Sequence, residues 1–217
     1  DVVGTLKVTP ATLTIKTESD SKEYDGTALT AEGSISGFVT PEGGEQETAT
    51  FEVTGSQTEV GSSSNSYSLT WDGTAVESDY TLSEDLGTLT ITASTKELKV
   101  VSKDGEWTYD GNAHTKYEYT VTYGDETYEV TIAEGETTGT ATLSTGDVVT
   151  ITPAAAATIT HVAESDVTNA FSYTVDHSDQ YANQAKEEGA LSVTPATLTI
   201  TRSEERRVGK ECRRMCR

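Results

Sequence analysis

Two Tyr-Asp-Gly triplets carry the residue types best suited to binding chemistry in this chain. They are Tyr24, Asp25, Gly26 and Tyr109, Asp110, Gly111. A tyrosine ring can stack on a sugar while a neighbouring carboxylate binds the sugar hydroxyls. The alternative is a structural corner, in which the tyrosine packs on the core, the aspartate bonds the turn backbone and the glycine adopts a positive φ. Because the triplet recurs in successive repeats, we favour the structural corner.

The two tryptophans, Trp71 and Trp107, are the other candidates for binding a ligand. An exposed aromatic shelf with flanking acids would favour carbohydrate binding, whereas burial of both rings would favour a structural role. They are therefore the residues that discriminate between these two functions.

The ionisable residues show no spacing typical of an active site. The three histidines lie in separate polar contexts, at His114, His161 and His177. The chain contains no Gly-x-Ser-x-Gly elbow and no phosphate-binding loop. We therefore expect no enzymatic activity and no catalytic residue.

Clusters of carboxylates are the one feature that could attract a metal ion. Acidic loops occur at residues 42–47, 77–79 and 164–166. Clustered oxygen ligands suit Ca²⁺, but none of these loops has the alternating Asp/Asn spacing of a dedicated site. A solvated acidic surface is the favoured interpretation, so we expect no cofactor, with Ca²⁺ as the alternative.

The composition restricts the partners. The formal net charge is −21 at pH 7. Such a surface repels nucleic acid phosphates and anionic lipids, so neither is an expected partner. No run of apolar residues is long enough to span a bilayer, and we expect no membrane insertion.

The last residues differ abruptly in composition from the rest. Every arginine, both cysteines and the single methionine lie in residues 202–217. This segment resembles a translated sequencing adapter, and we expect it to be non-native and disordered. Without it the chain has no cysteine, which excludes a disulfide framework.

Internal repeats organise the remainder. The octapeptide Val8-Thr-Pro-Ala-Thr-Leu-Thr-Ile15 returns unchanged at Val193–Ile200, and the preceding Gly4-Thr-Leu segment has copies at Gly87 and Gly189. Such self-similarity is the signature of a tandem array. The predicted units are residues 1–7 (last strand of a preceding repeat), 8–93 (repeat one), 94–195 (repeat two) and 196–201 (first strand of a following repeat).

Strict alternation of apolar and polar residues, as in Thr12-Leu-Thr-Ile15, predicts β-strands throughout both repeats. The expected fold is all-β, with two small antiparallel β domains in tandem and in an elongated arrangement. An immunoglobulin-like sandwich and a β-grasp-like fold, with a short helical turn near 78–83 or 178–186, both fit the pattern. The four asparagines, Asn65, Asn112, Asn169 and Asn183, are expected in loops.

Three landmarks together resemble a known family. A Tyr-Asp-Gly triplet follows a first strand, Asp79-Tyr-Thr-Leu82 lies near the end of the repeat, and Gly87-Thr-Leu-Thr-Ile91 closes it. These residues resemble bacterial surface adhesin repeats of the Tyr-Asp-Gly type and the related MBG domains. The resemblance covers residues 8–93 well and is looser in repeat two.

The resemblance implies a structural or adhesive stalk or spacer in a large cell-surface, cell-wall-attached or secreted bacterial protein. Its expected partners are neighbouring repeats of the same chain. The alternative is a module that binds a host glycan or extracellular protein through exposed tyrosine and tryptophan side chains. A third hypothesis is an accessory domain of an extracellular enzyme.

Overall fold

The computed structural model describes residues 4–201, so the predicted disorder of residues 202–217 lies outside the described residues. The N-terminal half (residues 11–92) contains eight strands. They are β1 Ala11–Thr17, β2 Asp20–Glu23, β3 Gly33–Ser36, β4 Thr50–Val53, β5 Gly61–Ser64, β6 Tyr67–Thr70, β7 Tyr80–Asp85 and β8 Thr88–Thr92.

The C-terminal half (residues 94–194) contains ten strands. They are β9 Ser94–Ser102, β10 Gly105–Thr108, β11 Glu118–Tyr123, β12 Glu126–Thr131, β13 Gly139–Thr142, β14 Val148–Pro153, β15 Val167–Thr168, β16 Phe171–Val175, β17 Tyr181–Glu187 and β18 Ala190–Thr194. The described residues also contain three short 3₁₀ helices, at Glu77–Asp79, Val162–Glu164 and Ser178–Gln180. None of the helices described in residues 4–201 is long and apolar enough to cross a membrane.

The prediction of an all-β fold is confirmed, and the alternation seen in the sequence determines which side chains enter the core. In β1, Leu13 and Ile15 are fully buried, whereas Thr12 and Thr14 between them are exposed. Successive side chains of a strand point to opposite faces, so this period of two gives one apolar face and one threonine-rich face.

The two halves share one pattern of strand pairing. β1 pairs antiparallel with β3 and parallel with β7, just as β9 pairs antiparallel with β11 and parallel with β17. β8 pairs parallel with β2 and antiparallel with β5, and β18 does the same with β10 and β15. Most ladders in residues 4–201 are antiparallel, as expected. The parallel ladders are those of β7 with β1, β8 with β2, β17 with β9 and β18 with β10.

The C-terminal half differs by an added pair of strands. The added strands are β12, which pairs with β11, and β13, which pairs with β14. β14 also pairs with β16, and the corresponding ladder of the N-terminal half is that of β4 with β6. Among the described strands, β4 pairs with no other strand. Every ladder in residues 4–201 joins strands of the same half. Ala93 lies between β8 and β9, and the division into two tandem domains at this residue stays a prediction.

Side-chain burial nevertheless continues from one half into the other. One cluster of buried apolar residues contains Tyr24, Leu89 and Ile91 from the N-terminal half together with Leu98 and Val100 from the C-terminal half. Because β8 ends at Thr92 and β9 begins at Ser94, this shared cluster lies where the chain passes between the halves.

Repeated segments outside the strands expose the apolar residues that their copies bury. Leu6 is 100% exposed, whereas its copy Leu191 in β18 is 0% exposed. At the other end of the described residues, Leu198 is 84% exposed, whereas its copy Leu13 in β1 is 0% exposed. Both segments thus carry a strand pattern whose apolar face is not covered in the described structure.

Candidate functional site

The first Tyr-Asp-Gly triplet forms a tight corner directly after β2. Backbone N–H of Tyr24 donates to the carbonyl oxygen of Thr92 at 2.8 Å, which fixes the corner to the end of β8. The carboxylate of Asp25 accepts hydrogen bonds from the backbone N–H of Thr27 at 2.9 Å and from the ammonium group of Lys22 at 2.7 Å. The Lys22 bond, followed by the bonds from Thr27, lowers the pKa of Asp25 to about 2.

The Tyr24 side chain reaches from this corner into the C-terminal half. Tyr24 is only 6% exposed, and its hydroxyl donates to Oδ2 of Asp147 at 2.9 Å. Asp147 is itself buried and lies immediately before β14. This contact between the halves, with the residues around it described below, is here called the Tyr24 junction.

Asp147 is the acceptor around which the junction is built. Its carboxylate also accepts from the hydroxyl of Tyr181 at 2.6 Å and bonds Nδ1 of His177 at 2.9 Å. The hydroxyl of Thr145 lies 2.6 Å from that of Tyr181. Since the Tyr181 proton is directed to Asp147, Thr145 donates to the Tyr181 oxygen. A buried carboxylate with three side-chain donors is compensated for its loss of water.

The protonation states follow from these bonds. Burial alone would raise the pKa of Asp147, but the hydrogen bonds from Tyr181, His177 and Tyr24 outweigh it and lower the pKa. Burial and the bond to Asp147 raise the pKa of Tyr24 and of Tyr181. The hydrogen bond to Asp147 raises the pKa of His177. At neutral pH the site is therefore one carboxylate held by two neutral phenols and by the imidazole of His177.

Gly26 brings the two backbones together at the same place. It has φ +80°, and a Cβ built on it would lie 2.0 Å from the carbonyl oxygen of Thr145. Glycine is thus required here both for its positive φ and for the close approach of the opposite chain. The Tyr24 ring meets the edge of Tyr181 at 5.9 Å between centroids, and Tyr123 meets Tyr181 at 5.5 Å.

Further hydrogen bonds cross between the halves at Gln180 and at Glu23, where the Thr95 hydroxyl also donates to the carboxylate. Backbone N–H of Val60 donates to Oε1 of the buried Gln180 at 2.6 Å. Backbone N–H of Thr95, at the start of β9, donates to Oε2 of Glu23 at 3.2 Å. The halves are therefore held together by polar contacts in addition to the packing of the aromatic rings.

The N-terminal half contains the same acceptor arrangement around Tyr80. Ala11 faces Tyr80 in the β1–β7 ladder as Ser94 faces Tyr181 in the β9–β17 ladder. The hydroxyl of Tyr80 donates to the carboxylate of Glu47, which stands shortly before β4 as Asp147 stands before β14.

Aromatic packing supports this equivalence. The Phe38 ring meets the edge of Tyr80 at 5.8 Å, in the manner of Tyr123 on Tyr181. Trp71 stacks on Tyr80 with centroids 5.8 Å apart. Trp71 is therefore half-buried in the packing around Tyr80 rather than part of an exposed shelf.

The second Tyr-Asp-Gly triplet adopts the same corner without a partner half beside it. Tyr109 N–H donates to Thr194 O at 2.9 Å, and Asp110 accepts from the backbone N–H of Asn112 at 2.8 Å. Gly111 has φ +85°, yet none of the described atoms beyond its chain neighbours lies within 4 Å of a Cβ built there. Tyr109 is 40% exposed.

Aromatic residues surround this second corner. Trp107 is half-buried and stacks on the His114 ring at 4.9 Å, while Nε2 of His114 bonds Asp110 at 3.0 Å. The Tyr109 ring lies 6.0 Å from that of His161. Of the two Tyr-Asp-Gly triplets, the first therefore lies at the Tyr24 junction and the second forms an exposed corner. Each half contains one of the two tryptophans.

The acidic loops contribute to local structure. Glu47 accepts from Tyr80 as described, and Glu164 accepts backbone N–H donors from Thr160 and His161, both at 2.9 Å. Within residues 4–201, no group of three or more histidine, cysteine or acidic side chains is arranged to hold a metal ion.

Sequence reasoning missed Asp147, His177 and Thr145 as members of the site. The available signals were the Thr145-Gly-Asp147 turn and the recurrence of a tyrosine as the first residue of the penultimate strand of each half. Neither signal indicates that the turn at residues 145–147 will contact the corner at Tyr24.

Comparison with known proteins adds no assignment, because no family model, no curated protein and no solved structure matches this chain significantly. The resemblance to adhesin repeats accordingly stays a prediction.

Proposed function

We propose that this chain is a structural or adhesive repeat region of a bacterial cell-surface or secreted protein, and that it acts as a spacer. The observation that carries the proposal is the Tyr24 junction. It joins the halves by a buried carboxylate with donors from both sides, in a core that is continuous across them. A spacer must hold successive units in a fixed relation, and this contact can do so.

The covalent link supports the same function. Only Ala93 separates β8 from β9, so few backbone torsions are available to act as a hinge. Any bending there would expose Tyr24 and Leu89 and would leave Asp147 without one of its donors. A buried charge that loses a donor costs free energy, which opposes bending.

Exposed copies of buried segments support an array of more than two units. Leu6 and Val8 repeat the pattern of Leu191 and Val193, which are buried in β18. Exposed alternating apolar residues favour strand pairing with a further chain segment. The proposed partners are therefore neighbouring repeats.

Distance measurements between the halves test the spacer function. Residues 1–201 contain no cysteine, so spin labels can be placed at Ser68→Cys and Thr140→Cys after Cys212 and Cys216 are replaced by serine. Both label sites are exposed positions within strands. A single narrow distance distribution by double electron–electron resonance is expected, and a broad one would contradict a fixed relation between the halves.

A glycan-binding surface at the second corner is the alternative function. It is favoured by the 40% exposure of Tyr109 beside Asp110 and the stacked Trp107 and His114 rings. Exposed aromatic faces next to a carboxylate suit sugar recognition. Binding on a glycan array that is lost in Tyr109→Ala and kept in Tyr67→Ala would support this function over the spacer.

A further inference from the structure

We infer that the pocket around Tyr80 and Glu47 is a docking site for the Tyr109 corner of another copy of this chain, so that copies join head to tail. This inference rests on the proposed function, because it names the contact by which neighbouring repeats would meet. The internal Tyr24 junction supplies the template.

Each half has an acceptor site, made of a tyrosine and the carboxylate that its hydroxyl bonds, and among residues 4–201 only the site in the C-terminal half is filled. In the C-terminal half Tyr24 occupies the space beside Tyr181 and Asp147. The corresponding position in the N-terminal half is a cavity of about 340 Å³. Its lining residues include Pro10, Ala11, Val39, Glu47 and Tyr80.

The position of this cavity in the fold matches the template. It borders the start of β1, where Ala11 faces Tyr80, and the filled site borders the start of β9, where Ser94 faces Tyr181. Glu47 offers a carboxylate at this cavity as Asp147 does in the filled site. A tyrosine hydroxyl entering the cavity would therefore meet an acceptor of the same chemistry.

The Tyr-Asp-Gly corner that enters such a site is likewise present twice, and within the part of the chain that the structure describes only the Tyr24 corner is docked. Tyr24 and Tyr109 follow equivalent strands, and their N–H groups bond the last residues of β8 and β18 respectively. Tyr24 is 6% exposed in the junction, whereas Tyr109 is 40% exposed. Gly26 packs on Thr145, whereas Gly111 keeps the same positive φ with open space before it.

The sequence provides a natural way to test this contact. Because Val193–Ile200 is identical to Val8–Ile15, residues 1–192 of one copy can be joined directly to residues 8–217 of a second. The join leaves the repeated octapeptide intact. The first copy then presents its Tyr109 corner to the Tyr80 pocket of the second.

The measurement is the distance distribution across the join. One spin label is placed at Thr140→Cys in the first copy and one at Ser68→Cys in the second, with the native cysteines replaced by serine. A single narrow distribution is expected, comparable in width to that between the same two sites across the Tyr24 junction of the single chain. A broad distribution across the join, with a narrow one in the single chain, would overturn the docking inference and leave the spacer function standing.

Gly111→Asn in the first copy is the decisive variant. Asparagine tolerates a positive φ, and in the single chain its side chain meets open space, so the single chain should keep its thermal midpoint. Across the join it should block the approach and widen the distribution several-fold. Glu45→Gln in the second copy, which neutralises an exposed acid near Glu47, is the matched control and should change nothing.

A second pair of variants separates docking from an effect on folding. Tyr109→Phe removes only the hydroxyl, and across the join it should reduce the ratio of docked to undocked molecules about tenfold, the loss expected for one hydrogen bond to a charged acceptor. In the single chain it should have no effect on the urea midpoint. The inference would be overturned if Tyr109→Phe destabilised the single chain as much as it weakened docking in the joined chain. It would also be overturned if the substitution left docking across the join unchanged.

Discussion

The hydroxyl of Tyr24 donates a 2.9 Å hydrogen bond to the carboxylate of Asp147, and the two residues lie 123 positions apart in the chain. This bond joins two halves that share no strand ladder in residues 4–201. Side chains at a corner and a turn, rather than a shared sheet, therefore set how the halves meet. The same corner sequence in the C-terminal half makes no such bond within the described structure.

Tyr24→Phe should destabilise the chain by about 1.5–3 kcal/mol, the value typical of a hydrogen bond to a charged group. The ring and its packing on Tyr181 would remain, while Asp147 would keep two of its three side-chain donors. Urea unfolding followed by tyrosine fluorescence measures the change. Tyr109→Phe removes the same atom from the exposed corner and is the control, since a comparable loss there would show that the Asp147 contact is not the cause.

Gly26→Ala should cost about 3 kcal/mol, because a Cβ would clash with the carbonyl oxygen of Thr145 and would also be strained by the positive φ. Gly111→Ala has the same φ penalty without the clash, so it should cost only about 1 kcal/mol. The difference between the two variants in urea unfolding isolates the approach of the halves. Equal costs would mean that the halves do not meet closely at Gly26 in solution.

The strands could be predicted from the sequence because burial obeys a period of two, as Leu13 and Ile15 show. Their partners could not, since an alternating strand looks the same whether its neighbour runs parallel, as β7 does beside β1, or antiparallel, as β3 does. The Tyr24 contact was unpredictable for a related reason. The triplet indicates a corner, but it does not indicate whether the tyrosine is buried, as Tyr24 is, or exposed, as Tyr109 is. Asp147 becomes the acceptor of Tyr24 only through the folding of a turn far along the chain.

Stability at the Tyr24 junction should depend on pH through His177. Its pKa is raised above the ordinary 6.5 by the hydrogen bond to Asp147 and by the charges of Asp147, Glu59 and Asp176. A raised folded-state pKa means that this contribution is complete below about pH 6.5 and is lost as the pH rises through the folded value.

The experiment compares the free energy of unfolding near pH 5.5 and near pH 9 in the parent chain and in His177→Gln. The parent should lose more stability than the variant over this range. His114→Gln is the control for a histidine outside the junction, and an unchanged pH dependence in His177→Gln would show that the imidazole does not contribute. Asp147 adds an effect of opposite sign at acid pH, because its lowered pKa gives stability that is lost as the pH falls through the folded value, below the ordinary 3.8.

A buried asparagine anchors each half, although all four asparagines were expected in loops. That expectation is wrong for Asn183, which lies within β17. Asn65 and Asn169 do lie in short connections, between β5 and β6 and between β15 and β16, but both are fully buried. The side-chain amide of Asn65 donates to three backbone carbonyl oxygens, those of Glu18 (3.0 Å), Ala31 (3.2 Å) and Glu32 (3.3 Å). That of Asn169 donates to those of Lys103 and Lys116, both at 2.9 Å.

Asn65→Ala and Asn169→Ala should therefore each destabilise the chain by about 2–4 kcal/mol, since each leaves buried carbonyl oxygens without their donor and removes packed atoms. Asn65→Asp is the sharper test, because it keeps the size of the side chain but replaces its donors with a charge that faces carbonyl oxygens. It should cost at least as much as Asn65→Ala. Asn112→Ala, at the exposed second corner, should cost less than either buried change. Urea unfolding of the four variants gives the comparison, and a mild effect at Asn65 together with a large one at Asn112 would contradict the burial on which the argument depends.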